Sequence, residues 1–181
     1  MNPLEKIINP KHSIILSIEK PKVPEKIKKY AQIHNLQEKD EYHISILVTR
    51  NAYKIRKYLK GFGDTEAVLI KMERILNSLD WEYTLTDEYF LQEYSYKKEV
   101  MEELGSDEYP EHTRRSIIQK IILPDLQIFY EKISQEFNLD LEIPVPHITL
   151  FSWSDYEPLM KRGIGISSEN DFQEYCVKKL N

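Results

Sequence analysis

Two short segments constrain this chain more than any other feature: Tyr42-His43-Ile44-Ser45-Ile46-Leu47-Val48 and Pro146-His147-Ile148-Thr149-Leu150-Phe151. Each is a β-branched run in which a hydroxyl residue follows a histidine at the second position. Alternate side chains of a strand share a face, so His43 and Ser45 project together while Ile44, Ile46 and Val48 take the other side. The same alternation groups His147 with Thr149 and, as the strand continues, with Phe151 and Trp153. Each segment thus offers an apolar strip to a core and an imidazole with a hydroxyl to whatever lies opposite.

What precedes the two strands is alike. A β-rich run from His12 to Ile18 is followed by a helix that opens at Pro24 and reaches Ile33, and then by the first motif strand. The run from Arg114 to Ile122, a second proline-started helix from Pro124 to Phe137, and the second motif strand repeat that order. Between them, residues 53–60 read as a helix whose Lys54, Lys57 and Lys60 form a solvated face. Gly61-Phe62-Gly63 breaks it, and Asp64 is expected to cap the next helix, with Val68, Leu69, Met72, Ile75, Leu76 and Leu79 as its core stripe.

Trp81, Tyr83 and Leu85 alternate as in a strand, and the aromatic-rich Tyr89–Tyr96 reads as continuing as a strand or hairpin arm, with its aromatics in the core. The charged segment from Lys97 to Tyr109 is expected to connect two lobes or to act as a lid. His112, with no hydroxyl two residues on, is expected to be exposed. Gly163-Ile164-Gly165 lacks the strand-turn-helix setting of a dinucleotide fingerprint and reads as loop, followed by a helix from about Asp171.

At 181 residues the chain is expected to form a single domain with a core of its own. A net charge of −5 argues against the broad basic surface that holds duplex DNA, while leaving room for a local site for a small anion. No apolar run is long enough for a membrane span, and the first residues lack the apolar centre of a signal peptide, so a cytoplasmic location is expected. One cysteine, Cys176, has no internal partner and reads as a structural thiol.

The paired His-Ile-Ser-Ile-Leu and Pro-His-Ile-Thr-Leu-Phe segments resemble the signature of the two-histidine (2H) phosphoesterase superfamily, which includes the LigT-like RNA 2′,3′-cyclic phosphodiesterases. The resemblance rests on these two motifs and, loosely, on the order of elements between them. It implies an α+β domain of two pseudo-symmetric lobes, each an antiparallel sheet with helices outside, around a central cleft. It also implies a phosphodiesterase acting on RNA 2′,3′-cyclic phosphate ends or on small 2′–5′ or cyclic oligonucleotides.

The chemistry of the residues suits that activity. One neutral imidazole can accept a proton from an attacking oxygen while an imidazolium protonates the departing one. Ser45 and Thr149 can hydrogen-bond the non-bridging phosphate oxygens. Such a scheme calls for no metal and no cofactor. Arg114 and Arg115 point to opposite faces of their strand, so one of them at most faces a cleft, where a guanidinium could grip two phosphate oxygens. Phe151 and Trp153 could stack a base. The expected site is therefore His43, Ser45, His147 and Thr149, with Arg114, Arg115, Phe151 and Trp153 as substrate contacts, and the expected partner is a small nucleotide or short RNA. Two other readings stay open at this point: a nucleotide-binding module that does not cleave, and a hydrolase in which His43 and His147 ligate a metal. Oligomeric state is not legible.

Overall fold

Alternating β-branched runs and one-faced helices build an α+β structure around one sheet. A computed structural model of the chain describes residues 14–61, 65–103 and 109–180. The strands are β1 (Ile14–Ile18), β2 (Gln37–Glu38), β3 (Tyr42–Leu47), β4 (Thr84–Tyr96), β5 (His112–Ile122), β6 (His147–Ser154) and β7 (Cys176–Leu180). They form a seven-stranded antiparallel sheet in the order β1-β3-β6-β5-β4-β7, with β2 also paired to β6. The helices are α1 (Glu25–Ile33), α2 (Thr49–Lys60), α3 (Thr65–Asn77), α4 (Lys98–Glu103), α5 (Pro124–Phe137) and α6 (Glu169–Tyr175). No described helix is long and apolar enough to cross a membrane.

Helices α1, α2, α3 and α5 cover one face of the sheet. Ile27 and Ala31 of α1, Ile55 of α2, Met72 of α3, and Leu126, Phe129, Tyr130 and Ile133 of α5 share a core with Ile44, Ile117 and Ile148 of the strands. The α5 stripe is the one its sequence spacing predicts. Pro124 opens that helix and Asn138, at φ 49°, closes it in the left-handed region that asparagine tolerates. The opposite face carries a smaller core in which Phe172 of α6 meets Phe90, Ile118, Val145 and Ile166. Beside it the sheet is left open.

Both motif strands carry a bulge at the same place. Ser45 faces Ile15 and Leu47 faces Ile14, while Thr149 faces Ile118 and Phe151 faces Ile117. The extra residue is the one directly after the hydroxyl, Ile46 in β3 and Leu150 in β6. A bulge breaks the alternation beyond it, so Leu47 and Phe151 turn into the helix-side core together with Ile46 and Leu150. This corrects two expectations. Phe151 is buried in that core and Trp153 packs against it, so neither lies beside His147 and Thr149. Val48, expected opposite His43, instead lines the open side.

Other differences have local causes. Trp81 does not begin a strand: its φ of 58° turns the chain, its N–H donates to Asp125 Oδ2 at 2.9 Å, and its indole Nε1 donates to Leu76 O at 2.9 Å. The strand starts at Thr84 instead. The charged segment after residue 97 lies between the neighbouring strands β4 and β5 and begins with α4; its residues 104–108 lie outside the described residues. The C-terminal helix starts at Glu169 with Ser168 Oγ accepting from Asp171 N at 3.1 Å, and after it β7 adds an edge strand that the sequence reading missed. His12, Ser13, Phe62, Gly63 and the Asp64 cap lie outside the described residues.

Candidate active site

The site forms where β3 meets β6. The two strands pair through Ile44 and Ile148, both fully buried. Antiparallel register around that pair sets His43 opposite Thr149 and Ser45 opposite His147. All four side chains line one cavity of about 300 Å³ on the open face of the sheet, at the lower end of the size range of small-molecule sites. Each imidazole therefore has the other strand's hydroxyl beside it.

Burial disfavours the charged form of both imidazoles. His147 Nδ1–H donates to Val145 O at 2.7 Å, which leaves Nε2 as the nitrogen that can exchange a proton. Burial pushes the His147 pKa below the usual 6.5; the Val145 carbonyl offsets part of that, and the nearby His43 adds to it. Burial also lowers His43, and Lys39 acts in the same direction. A histidine depressed in the folded state makes the unfolded chain bind more protons once the pH drops below the unfolded value, so stability is lost as pH falls. Because His43, His112 and His147 are all depressed, the melting temperature is expected to fall steadily on acidification below about pH 6.5. Thermal melts across that interval check it, and a flat profile would contradict the assignment.

The cavity is cationic. Lys39, Arg50, Arg114 and Arg162 line it, and no Asp or Glu stands among the described lining residues. Helix α2 starts at the cavity with Val48 as an N-cap that offers no side-chain oxygen, and Thr49 and Arg50 of its first turn are in the wall. Arg50 is neutralised by Asp171, with Nη1 donating to Oδ1 at 3.2 Å and to Oδ2 at 3.3 Å. Arg114 is not: it is 6% exposed and has no carboxylate partner among the described residues. Its Nε donates to His112 Nε2 at 3.0 Å, its Nη1 donates to Gly163 O at 3.2 Å, and its guanidinium lies 4.3 Å from the centre of the Tyr96 ring. A buried cation without a counter-charge is costly, and an anion in the cavity relieves that cost.

Of the expected arginines, only Arg114 reaches the cavity. Arg115 lies on the helix-side face, where it pairs with Glu93 and covers the Trp153 ring at 4.9 Å. His112 corrects the expectation of exposure: it is buried, lines the cavity and contacts Arg114. The alternation that separates Arg114 from Arg115 also aligns His112 with Arg114, so this residue was within reach of the sequence.

The loop over residues 163–167 had no such signal. Ile164 N donates to Ser116 Oγ at 3.3 Å and Gly165 N to Tyr96 Oη at 3.4 Å, which pins the loop across β5 and β4 as one wall of the cavity. Lys39, Arg162 and Tyr96 were missed for the same reason, since their sequence surroundings resemble ordinary surface or core. Gly163 has a direct bearing on the motif: a Cβ there would stand 2.9 Å from Thr149 Oγ1. Gly163→Ala is expected to displace that hydroxyl and to slow turnover by about ten- to a hundredfold while leaving the melting temperature nearly unchanged. Steady-state kinetics beside thermal melts check both halves.

Among the described residues no group of three or more His, Cys, Asp or Glu side chains is arranged to hold a metal ion. No protein-family model, curated protein or solved structure matches the chain.

Proposed function

We propose that this protein is a metal-independent phosphodiesterase of the two-histidine kind, acting on RNA 2′,3′-cyclic phosphate ends or on small 2′–5′ or cyclic oligonucleotides. One observation carries the reading: two His-x-hydroxyl pairs from strands a hundred residues apart in sequence line the same cationic cavity, with no Asp or Glu among its described lining residues. A cavity of that charge suits a phosphodiester, and imidazole is the side chain best suited to proton transfer to and from it.

The arrangement about the β3–β6 seam supports two related lobes. Outward from the seam, β3 is followed by β1 and β6 by β5, with α1 and α5 as the respective connections. The matching bulges at Ile46 and Leu150 strengthen the correspondence. Strands β4 and β7 extend the sheet on the β5 side.

In the reaction, one imidazole takes the proton of the attacking hydroxyl as its oxygen bonds to phosphorus. The bond from phosphorus to the departing ribose oxygen breaks, and the second histidine, as imidazolium, supplies that oxygen with a proton. Water as attacker opens a cyclic phosphate to a monoester; a neighbouring ribose hydroxyl cleaves a linkage and leaves a cyclic phosphate. The phosphate's own negative charge raises the pKa of the adjacent imidazoles, which favours the imidazolium this step needs. Ser45 and Thr149 donate to the non-bridging oxygens, and Arg114 balances their charge.

The test is a panel of a nucleoside 2′,3′-cyclic phosphate, a 2′–5′ oligoadenylate and a cyclic dinucleotide, each with EDTA present. Cleavage of at least one member is expected. Binding without cleavage would replace this reading with a capture module, and activity abolished by EDTA would replace it with a metal site.

A further inference from the structure

The third histidine of the cavity has no part in that proton transfer, yet its geometry is the most tightly defined of the three. His112 Nδ1 lies 2.7 Å from Pro110 O, and its Nε2 lies 3.0 Å from Arg114 Nε. A carbonyl oxygen can only accept and a guanidinium N–H can only donate. Both neighbours therefore demand the same neutral tautomer, with the proton on Nδ1 and a lone pair on Nε2. A ring so engaged has no nitrogen free to exchange protons with a substrate.

What it does instead is hold Arg114. The Tyr96 ring stacks on His112 with centroids 4.9 Å apart at 15°, and it also underlies the guanidinium. With Nε tied to His112, Nη1 tied to Gly163 O and one face against Tyr96, the guanidinium cannot rotate. Two of its five N–H donors are used in this way, and the others remain for a ligand in the cavity. A side chain ordered before the ligand arrives loses little freedom when it binds.

We propose that His112 is a positioning residue: as a neutral acceptor it fixes Arg114 in the orientation that grips the oxygens of a phosphoryl group. This rests on the phosphodiesterase reading for the identity of the substrate, but the anion grip stands on the geometry of Arg114 alone.

The experiment compares wild type with His112→Gln, whose carboxamide oxygen can replace Nε2 as acceptor, and with His112→Phe, which keeps the ring on Tyr96 and removes the acceptor. Inorganic phosphate binding is measured by calorimetry, and kcat and KM are measured on whichever panel member is cleaved. His112→Phe is expected to weaken phosphate binding and raise KM about tenfold with a smaller change in kcat, and His112→Gln is expected to stay within about threefold of wild type. Phosphate binding by His112→Phe equal to wild type, or no rescue by a folded His112→Gln, would overturn the proposal. Nitrogen NMR of the unaltered protein decides the matter even where the variants fail to fold: Nδ1–H with an unprotonated Nε2 is expected, and the other tautomer or an imidazolium at neutral pH would overturn it. A wild type that binds phosphate but cleaves nothing would remove the phosphodiesterase reading and leave the role of His112 to these same measurements.

Discussion

His43→Ala and His147→Ala are each expected to lower kcat by about 10²–10⁴-fold, the usual contribution of a positioned proton donor or acceptor. Neither change should unfold the protein, because both imidazoles face the cavity while the residues beside them, Tyr42 and Ile44 in β3 and Ile148 in β6, carry the core. The double variant is expected to be little worse than the poorer single one, since a proton relay that has lost one end gains little from the other. Turnover of the cleaved panel member beside a thermal melt of each variant makes the check. A folded single variant within tenfold of wild type would remove that histidine from the proton-transfer pair.

The second large effect falls on the seam. Ile148 stands between His147 and Thr149, is fully buried, and meets Ile44 as the one register pair that joins β3 to β6. Ile148→Ala deletes atoms from the centre of the core and is expected to cost about 2–5 kcal/mol of stability, whereas Ile148→Val should cost about 0.5–1.5 kcal/mol. Because the two isoleucines touch, Ile44→Ala and Ile148→Ala together should depart from additivity by at least about 0.5 kcal/mol. Urea denaturation of the four proteins measures the cycle. Turnover should fall too, in the fraction that stays folded, because this pair sets the register in which each imidazole faces the other strand's hydroxyl. Additive losses would mean that the seam is held elsewhere.

How much of this was legible beforehand depends on the range of the interaction involved. The α5 stripe from Leu126 to Phe137 and the shared faces of His43 with Ser45 and His147 with Thr149 follow from backbone periodicity, which is local, and they stand as expected. Periodicity failed beyond Ser45 and Thr149. One extra residue in each strand, Ile46 and Leu150, reversed the pattern and carried Phe151 and Trp153 to the helix side. A bulge is set by how two strands pair, and no single strand's composition announces it. Trp81 failed for a related reason: hydrogen bonds to Asp125 and Leu76 hold it in a turn that its β propensity opposes.

The sequence by itself determined which residues could share a face, where the proline-started helices begin, and that two histidine-hydroxyl pairs existed to be brought together. Only the tertiary structure decided that they meet. It also decided that Arg114 rather than Arg115 joins them, that His112 stands behind Arg114, and that residues 163–167 close the wall. Those outcomes depend on contacts such as Arg114 with Gly163 and Ile44 with Ile148, which span 49 and about a hundred residues of chain. Backbone periodicity acts over a few residues, and strand order and loop docking are settled by burying surface from distant parts of the chain at once.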